Sequence, residues 1–300
     1  MGLGEFTMRW DQSHESEDIE DRRGESSGGS PLGLGGGFGG MRVGLGGLVI
    51  LGVLSFVFKV DLISPFLGLG GGSPMPVAAR REPRASSPEE ETLKRFVGFV
   101  LDDAQNTWTK ILPEQQGVSY RKSKLVVFRD YVRSGCGDAQ GAMGPFYCPA
   151  DERVYIDLNF YDELKRKFGA PGDFAQAYVI AHELGHHLQN VLGIERKVRL
   201  TQERNPRAQK QLSVLMELQA DCFAGVWAHS TGQRGLLEAG DVDEALRAAA
   251  AVGDDHIQQM TTGRIRPESF THGSSAQRKE WFGRGFESGK VSACNTFAEN

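Results

Sequence analysis

No two of the four cysteines, at 136, 148, 222 and 294, form a C-x-x-C pair, so a four-thiolate zinc site is not supported. No long run of Lys and Arg occurs and the formal charge is a mild -5. Nothing in that balance calls for nucleic acid, and none is expected as a partner. Nor is any internal repeat visible. Glycine, by contrast, is plentiful at 39 residues and unevenly spread, filling half of the positions from 24 to 47.

That unevenness divides the chain. Residues 1–40 read as a disordered leader, charged from Asp11 to Glu25 and then rich in Ser and Gly, with too little apolar surface to offset chain entropy. Val43 to Phe58 is sixteen residues without a charge, bracketed by Arg42 and Lys59. With snorkelling from Lys59 it reads as a transmembrane helix over 41–60. Residues 61–87, rich in Pro and Gly, form a linker, and 88–300 form the folded domain. Basic residues balance on the two sides of the span, so the cysteines decide orientation: their even number suits disulfides outside the reducing cytoplasm. The expected placement is a single-pass protein of the cell membrane, N-terminus inside and domain extracytoplasmic. Three disulfide connectivities are possible. The Gly- and Pro-containing segment between Cys136 and Cys148 can close a loop, which favours that pair and leaves Cys222 with Cys294.

Within the domain, Ser87-Pro88-Glu89-Glu90 reads as a cap, a first-turn proline and dipole-favoured acids, opening a helix to about Lys110. Lys124–Phe128 and Arg153–Leu158 read as strands, and helices return from Asp173. The helix over 173–192 has Asp173 as cap, Gln176 completing a capping box and Gly193 as its left-handed end. The expectation is an α+β fold, helix-rich, with a small and mostly antiparallel sheet.

The chemistry sits on that helix. His182 and His186 are four residues apart in His182-Glu183-Leu184-Gly185-His186, so both imidazoles share one face and can chelate one Zn²⁺. Glu183 is badly placed as a ligand but can take a proton from a zinc-activated water. The bland reading is a pair of histidines on a polar helix surface, as it is for His187. A helix opened by Asn205-Pro206 supplies Glu217 and Asp221, four apart among apolar neighbours, where a buried acid wants a cation. Glu217 is assigned as third metal ligand and Asp221 as the acceptor that orients a ligand histidine. The reverse assignment is the alternative.

The runs at 144–151, 154–157, 168–178, 182–187, 217–221, 267–278 and 294–297 together resemble the bacterial family of neutral zinc metallopeptidases. The resemblance covers about residues 88–300. It implies a zincin-like, gluzincin-type site with a glutamate as third ligand, zinc as cofactor and a peptide or protein as substrate. His272, in Thr271-His272-Gly273, is the candidate oxyanion donor, with Tyr155 behind it. Against that role, Ser274 with Gln277 makes a capping box that would place His272 merely at a helix entry. Val154–Leu158 is the candidate edge strand for a bound peptide. The reading is a zinc endopeptidase. The alternatives are a zinc-binding but inactive scaffold, and a zinc hydrolase of a non-peptide amide such as a cell-wall component.

Overall fold

The computed structural model describes residues 8–25, 85–141 and 144–298. Ser87 opens helix α1 (Pro88–Gln116): its hydroxyl accepts the Glu90 N–H, Pro88 takes the first turn, and Gly117 ends the helix at φ 67°. The helix runs past Lys110 and through Pro113. Strands β1 (Ile19–Asp21), β2 (Lys124–Phe128), β5 (Phe146–Cys148) and β6 (Arg153–Asp157) form one sheet in the order β1-β2-β6-β5, while β3 (Tyr131–Ser134) and β4 (Gly137–Gln140) make a separate hairpin. After the short α2 (Asn159–Arg166) come α3 (Asp173–Val191), α4 (Ile194–Arg204), α5 (Gln209–Gln233), α6 (Asp241–Ala251), α7 (Asp254–Thr262) and α8 (Ser275–Ser288).

The two-residue period of the strands sorts the core. Leu125, Val127, Val154 and Ile156 face α1, α3 and α5 in the main cluster. Val126, Phe128 and Tyr155 face the other way, onto Val132 and Ala139 of the hairpin and Cys148. Both expected disulfides are present, Cys136–Cys148 closing the hairpin region and Cys222–Cys294 tying the C-terminal turn to α5.

Several expectations are corrected. The main sheet is not mostly antiparallel: β1–β2 and β2–β6 are parallel and only β5–β6 is antiparallel. Between β2 and β6 the chain makes the hairpin and then returns along β5, so β6 runs in the direction of β2. That arrangement also encloses β6 between β2 and β5, so Val154–Leu158 is no edge for a peptide.

The leader over 1–40 is not disordered throughout. Residues 8–25 are folded onto the domain, with Met8 buried, Trp10 edge-on to Phe96, and Ile19–Asp21 in register with Leu125–Val127. The charges that suggested solvation are paired instead. Asp18 meets Lys122 and Lys124 at 3.2 and 2.7 Å. Arg23 meets Glu91 at 2.7 Å, and Glu20 meets Arg153 at 3.2 Å.

The transmembrane helix is corrected as well. No described helix is long and apolar enough to cross a membrane, and the stretch 41–60 itself lies outside the described residues. The single-pass, extracytoplasmic placement falls with that helix.

Candidate metal centre

Two helix crossings build the site. Gly185 of α3 packs so tightly on α5 that a Cβ there would stand 2.8 Å from the Ala220 Cα and carbonyl oxygen. The close approach sets Glu217, one turn from Ala220, against the two histidines. On the far side of α5, Gly225 and Gly285 play the same part toward α8: a Cβ at Gly285 would lie 2.0 Å from the Cys222 carbonyl. Helix α8 therefore lies flush on α5 and brings Arg278 beneath the site.

His182 Nε2 lies 3.2 Å from one Glu217 oxygen and His186 Nε2 lies 3.6 Å from the other. One ligand atom from each of the three residues falls within 4.8 Å of the others. Both Nδ1 atoms are engaged elsewhere. His182 Nδ1 meets Asp221 at 2.8 Å, and His186 Nδ1 meets the Gln189 side-chain oxygen at 2.9 Å. Gln189 is oriented for this, because its NH₂ donates to the Met216 carbonyl at 2.7 Å. With each Nδ1 engaged outward, each Nε2 faces the common centre. Two imidazole nitrogens and a carboxylate are a donor set that suits zinc.

Asp221 is fully buried yet ionised. Arg278, 3% exposed, grips both its oxygens at 2.7 and 2.9 Å, and Tyr178 donates its hydroxyl to it. Burial alone would raise the Asp221 carboxyl; the charges of Arg278 and His182 outweigh it and hold it below its ordinary range. Burial likewise opposes a charge on His182, but Asp221 and Glu217 prevail and raise it to about 10. Glu217 is held well below its usual range, against the effect of burial, by His186, His182 and His272. In the metal-free chain the His182 proton thus occupies the electrostatic role of a cation.

Glu183 is 8% exposed and has no hydrogen-bond or ion-pair partner among the described residues. His272 lines, with His186, Glu217 and Thr271, a cleft of about 660 Å³ whose outer wall comes from α4 and the start of α5. Its Nδ1 lies 3.1 Å from Asp254, whose other oxygen accepts the backbone N–H groups of Thr271, His272 and Gly273. Burial lowers the His272 pKa, but the Asp254 bond and the Glu217 charge reverse that and raise it. The Ser274–Gln277 capping box is present too, so helix entry and cleft lining coincide. Tyr155 is elsewhere, stacked on Phe146 and bonded to Asp151. His187 is a buried structural histidine, bonded to the Tyr147 hydroxyl and the Arg121 carbonyl.

Sequence reasoning assigned no role to Tyr178, Gln189, Asp254 or Arg278. Two of these carried a local signal: Tyr178 lies four residues before His182, and Gln189 three after His186, on the same helix face. Arg278 carried none, because its partner is 57 residues away. Asp173, read as a helix cap, is instead the first helical residue and makes no side-chain cap bond, while Glu244 accepts the Phe174 N–H.

The model of the family described as "Putative neutral zinc metallopeptidase" matches residues 8–297, including the docked N-terminal segment. The chain is 51% identical over 296 residues to the uncharacterized protein YpfJ of Escherichia coli, covering 98% of this chain and 100% of that protein. It is 44% identical over 202 residues to the uncharacterized protein Rv2575 of Mycobacterium tuberculosis, covering 64% of this chain and 66% of that one. No solved structure matches it.

Proposed function

The chain belongs to the neutral zinc metallopeptidase family, and we propose on that premise that it is a zinc-dependent endopeptidase acting on peptide or protein substrates. The observation that carries the reading is the convergence of His182 Nε2, His186 Nε2 and Glu217 on one point while both Nδ1 atoms are held from behind. These three residues would hold zinc. When bound, zinc supplies Lewis-acid polarisation of a carbonyl and acidifies water.

The chain's own groups do the rest. Glu183, unpartnered beside the triad, takes the proton of the attacking water and returns it to the departing amine. His272, fixed through Nδ1 by Asp254, keeps Nε2 available to donate toward the oxygen that becomes negative in the tetrahedral transition state. Asp221, with Arg278 behind it, keeps His182 in the tautomer that leaves Nε2 unprotonated.

Metal content by mass spectrometry, alongside turnover of a peptide library, tests this directly. The wild-type chain should carry about one zinc and cleave peptides. Glu217→Ala should lose most of the metal. Glu183→Gln should keep it while turnover falls about 10²–10⁴-fold. A folded wild-type chain that takes up no zinc ends the proposal, and a zinc-loaded chain indifferent to Glu183→Gln ends the assignment of that residue.

A further inference from the structure

A second group of acids lies at the N-terminal end of α3, apart from the triad. Asp173 is the first residue of α3, Asp241 the first of α6, and Glu244 stands one turn further along α6. One carboxylate oxygen from each lies within 4.8 Å of the others. Asp241 is completely buried. One of its oxygens accepts the Glu238 N–H at 2.8 Å, while the other is buried with no hydrogen-bond partner among the described residues. Asp173 also has a buried oxygen without a partner. Glu244 accepts the Phe174 N–H at 3.1 Å and lies so close to the backbone that a Cβ on Gly172 would be 2.0 Å from its oxygen.

Such a group is costly unless something positive joins it, since buried acceptors without donors lose their hydration and like charges repel. Burial first, and the neighbouring carboxylates next, push Asp173 up to about 7, with Asp241 and Glu244 also raised. A proton shared by the orphan oxygens of Asp173 and Asp241 would answer those two and leave Glu244 with only its backbone donor. One divalent ion answers all three.

We propose that Asp173, Asp241 and Glu244 bind a structural calcium ion that joins the start of the metal-site helix to α6. The spacing fits: oxygens about 2.3–2.6 Å from one ion are separated by at most about 5 Å. The donors fit as well, being all hard oxygen, which favours calcium, whereas the nitrogen-rich triad favours zinc. Three ligands from two helices leave irregular positions for water, which calcium tolerates better than magnesium does. Water has a route in, because Asp173 also lines a groove with Trp10 and Phe96. The ion would act on the N-terminal segment too, since Asp173 accepts the Met8 N–H.

The test uses the full, zinc-loaded chain in calcium-free buffer, titrated with calcium and with terbium, whose emission Trp10 can sensitise from the same groove. The wild-type chain should bind one calcium and its unfolding midpoint should rise with calcium concentration. Asp241→Asn should melt at or above the wild type without calcium, because it removes a repulsion, and should bind calcium at least about tenfold more weakly. Three results would overturn the proposal. One is no binding and no shift in the wild type at about 10 mM calcium. Another is a midpoint that rises on acidification from about pH 8 to 6 with no response to calcium, the mark of shared protons. The third is calcium binding undiminished in both Asp241→Asn and Glu244→Gln, which would put the ion elsewhere.

Discussion

The charge that matters most in the candidate metal centre belongs to a residue that would touch no metal. Arg278 and Asp221 form a pair at 3% and 0% exposure, where either partner alone would be an uncompensated buried charge. Arg278→Met should therefore destabilise the metal-free chain by about 3–5 kcal/mol. Beyond that, it should weaken zinc binding about 10–100-fold, because His182 loses the oriented acceptor at its Nδ1. Competition against a zinc-binding dye, with thermal unfolding of the metal-free chain measured in parallel, reads both effects. A loss of stability with unchanged zinc affinity would make the pair structural only. The same geometry predicts how zinc affinity depends on pH. His182 is raised to about 10 in the metal-free chain, so zinc must displace its proton at neutral pH. Affinity should climb with pH and level off above about 10, and calorimetry in buffers of different ionisation enthalpy should register the proton released. For the metal-free fold the sign is opposite: the stability that protonated His182 contributes is complete below its unfolded value, near 6.5, and is lost as pH rises through about 10.

At the scale of elements, the crossing of α3 and α5 is set by Gly185. Gly185→Ala would force a methyl group to within 2.8 Å of the Ala220 backbone, and backbone cannot swing aside as a side chain can. The helices should separate by a few tenths of an ångström. The expected result is a loss of about 1–3 kcal/mol together with weaker zinc binding, whereas Gly283→Ala on α8, where a Cβ meets nothing within 4 Å, should leave zinc binding unchanged and stabilise the helix by up to about 1 kcal/mol. Elements were also the scale at which the sequence was most readable. Caps at Ser87 and Ser274, the left-handed Gly193 and the i, i+4 histidines are local signals, and local physics is enough to read them. The pairing of Glu217 with the histidines was readable one step further out, because an acid among apolar neighbours needs a partner. Register and direction were not. Whether β6 runs with or against β2 depends on how the intervening hairpin returns, and the tight passage of α8 over α5 depends on Gly225 and Gly285 meeting across 60 residues of sequence. Nothing in a window of ten or twenty residues encodes either.

For the molecule as a whole, the misleading signal was charge density. Asp11 to Glu25 looks like a solvated tail by composition, and composition cannot tell an unpaired charge from one whose partner lies a hundred residues on. The segment is held by such distant partners: Asp18 by Lys122 and Lys124, Glu20 by Arg153, Arg23 by Glu91, and His14 by Asp102 at 2.8 Å. Across the junction, Asp18 and Glu91 are lowered, their basic partners outweighing burial. A depressed carboxyl contributes stability that is present above its unfolded value, near 4, and is lost as pH falls through the folded one. Docking of residues 8–25 should thus hold at neutral pH and weaken as pH falls below about 4. The body should outlast it, because it is closed by two disulfides and a continuous apolar core. A protease site inserted between residues 26 and 84 makes this measurable: after cleavage, the N-terminal piece should remain with the body at pH 7 and separate near pH 2–3. Added salt should bring that separation to higher pH, since most of these pairs are partly exposed and are screened. If the piece leaves at pH 7, then β1 and Met8 do not hold it once it is cut free. If it stays at pH 2, the apolar contacts of Met8, Trp10 and Ile19 suffice and the ion pairs only set the register.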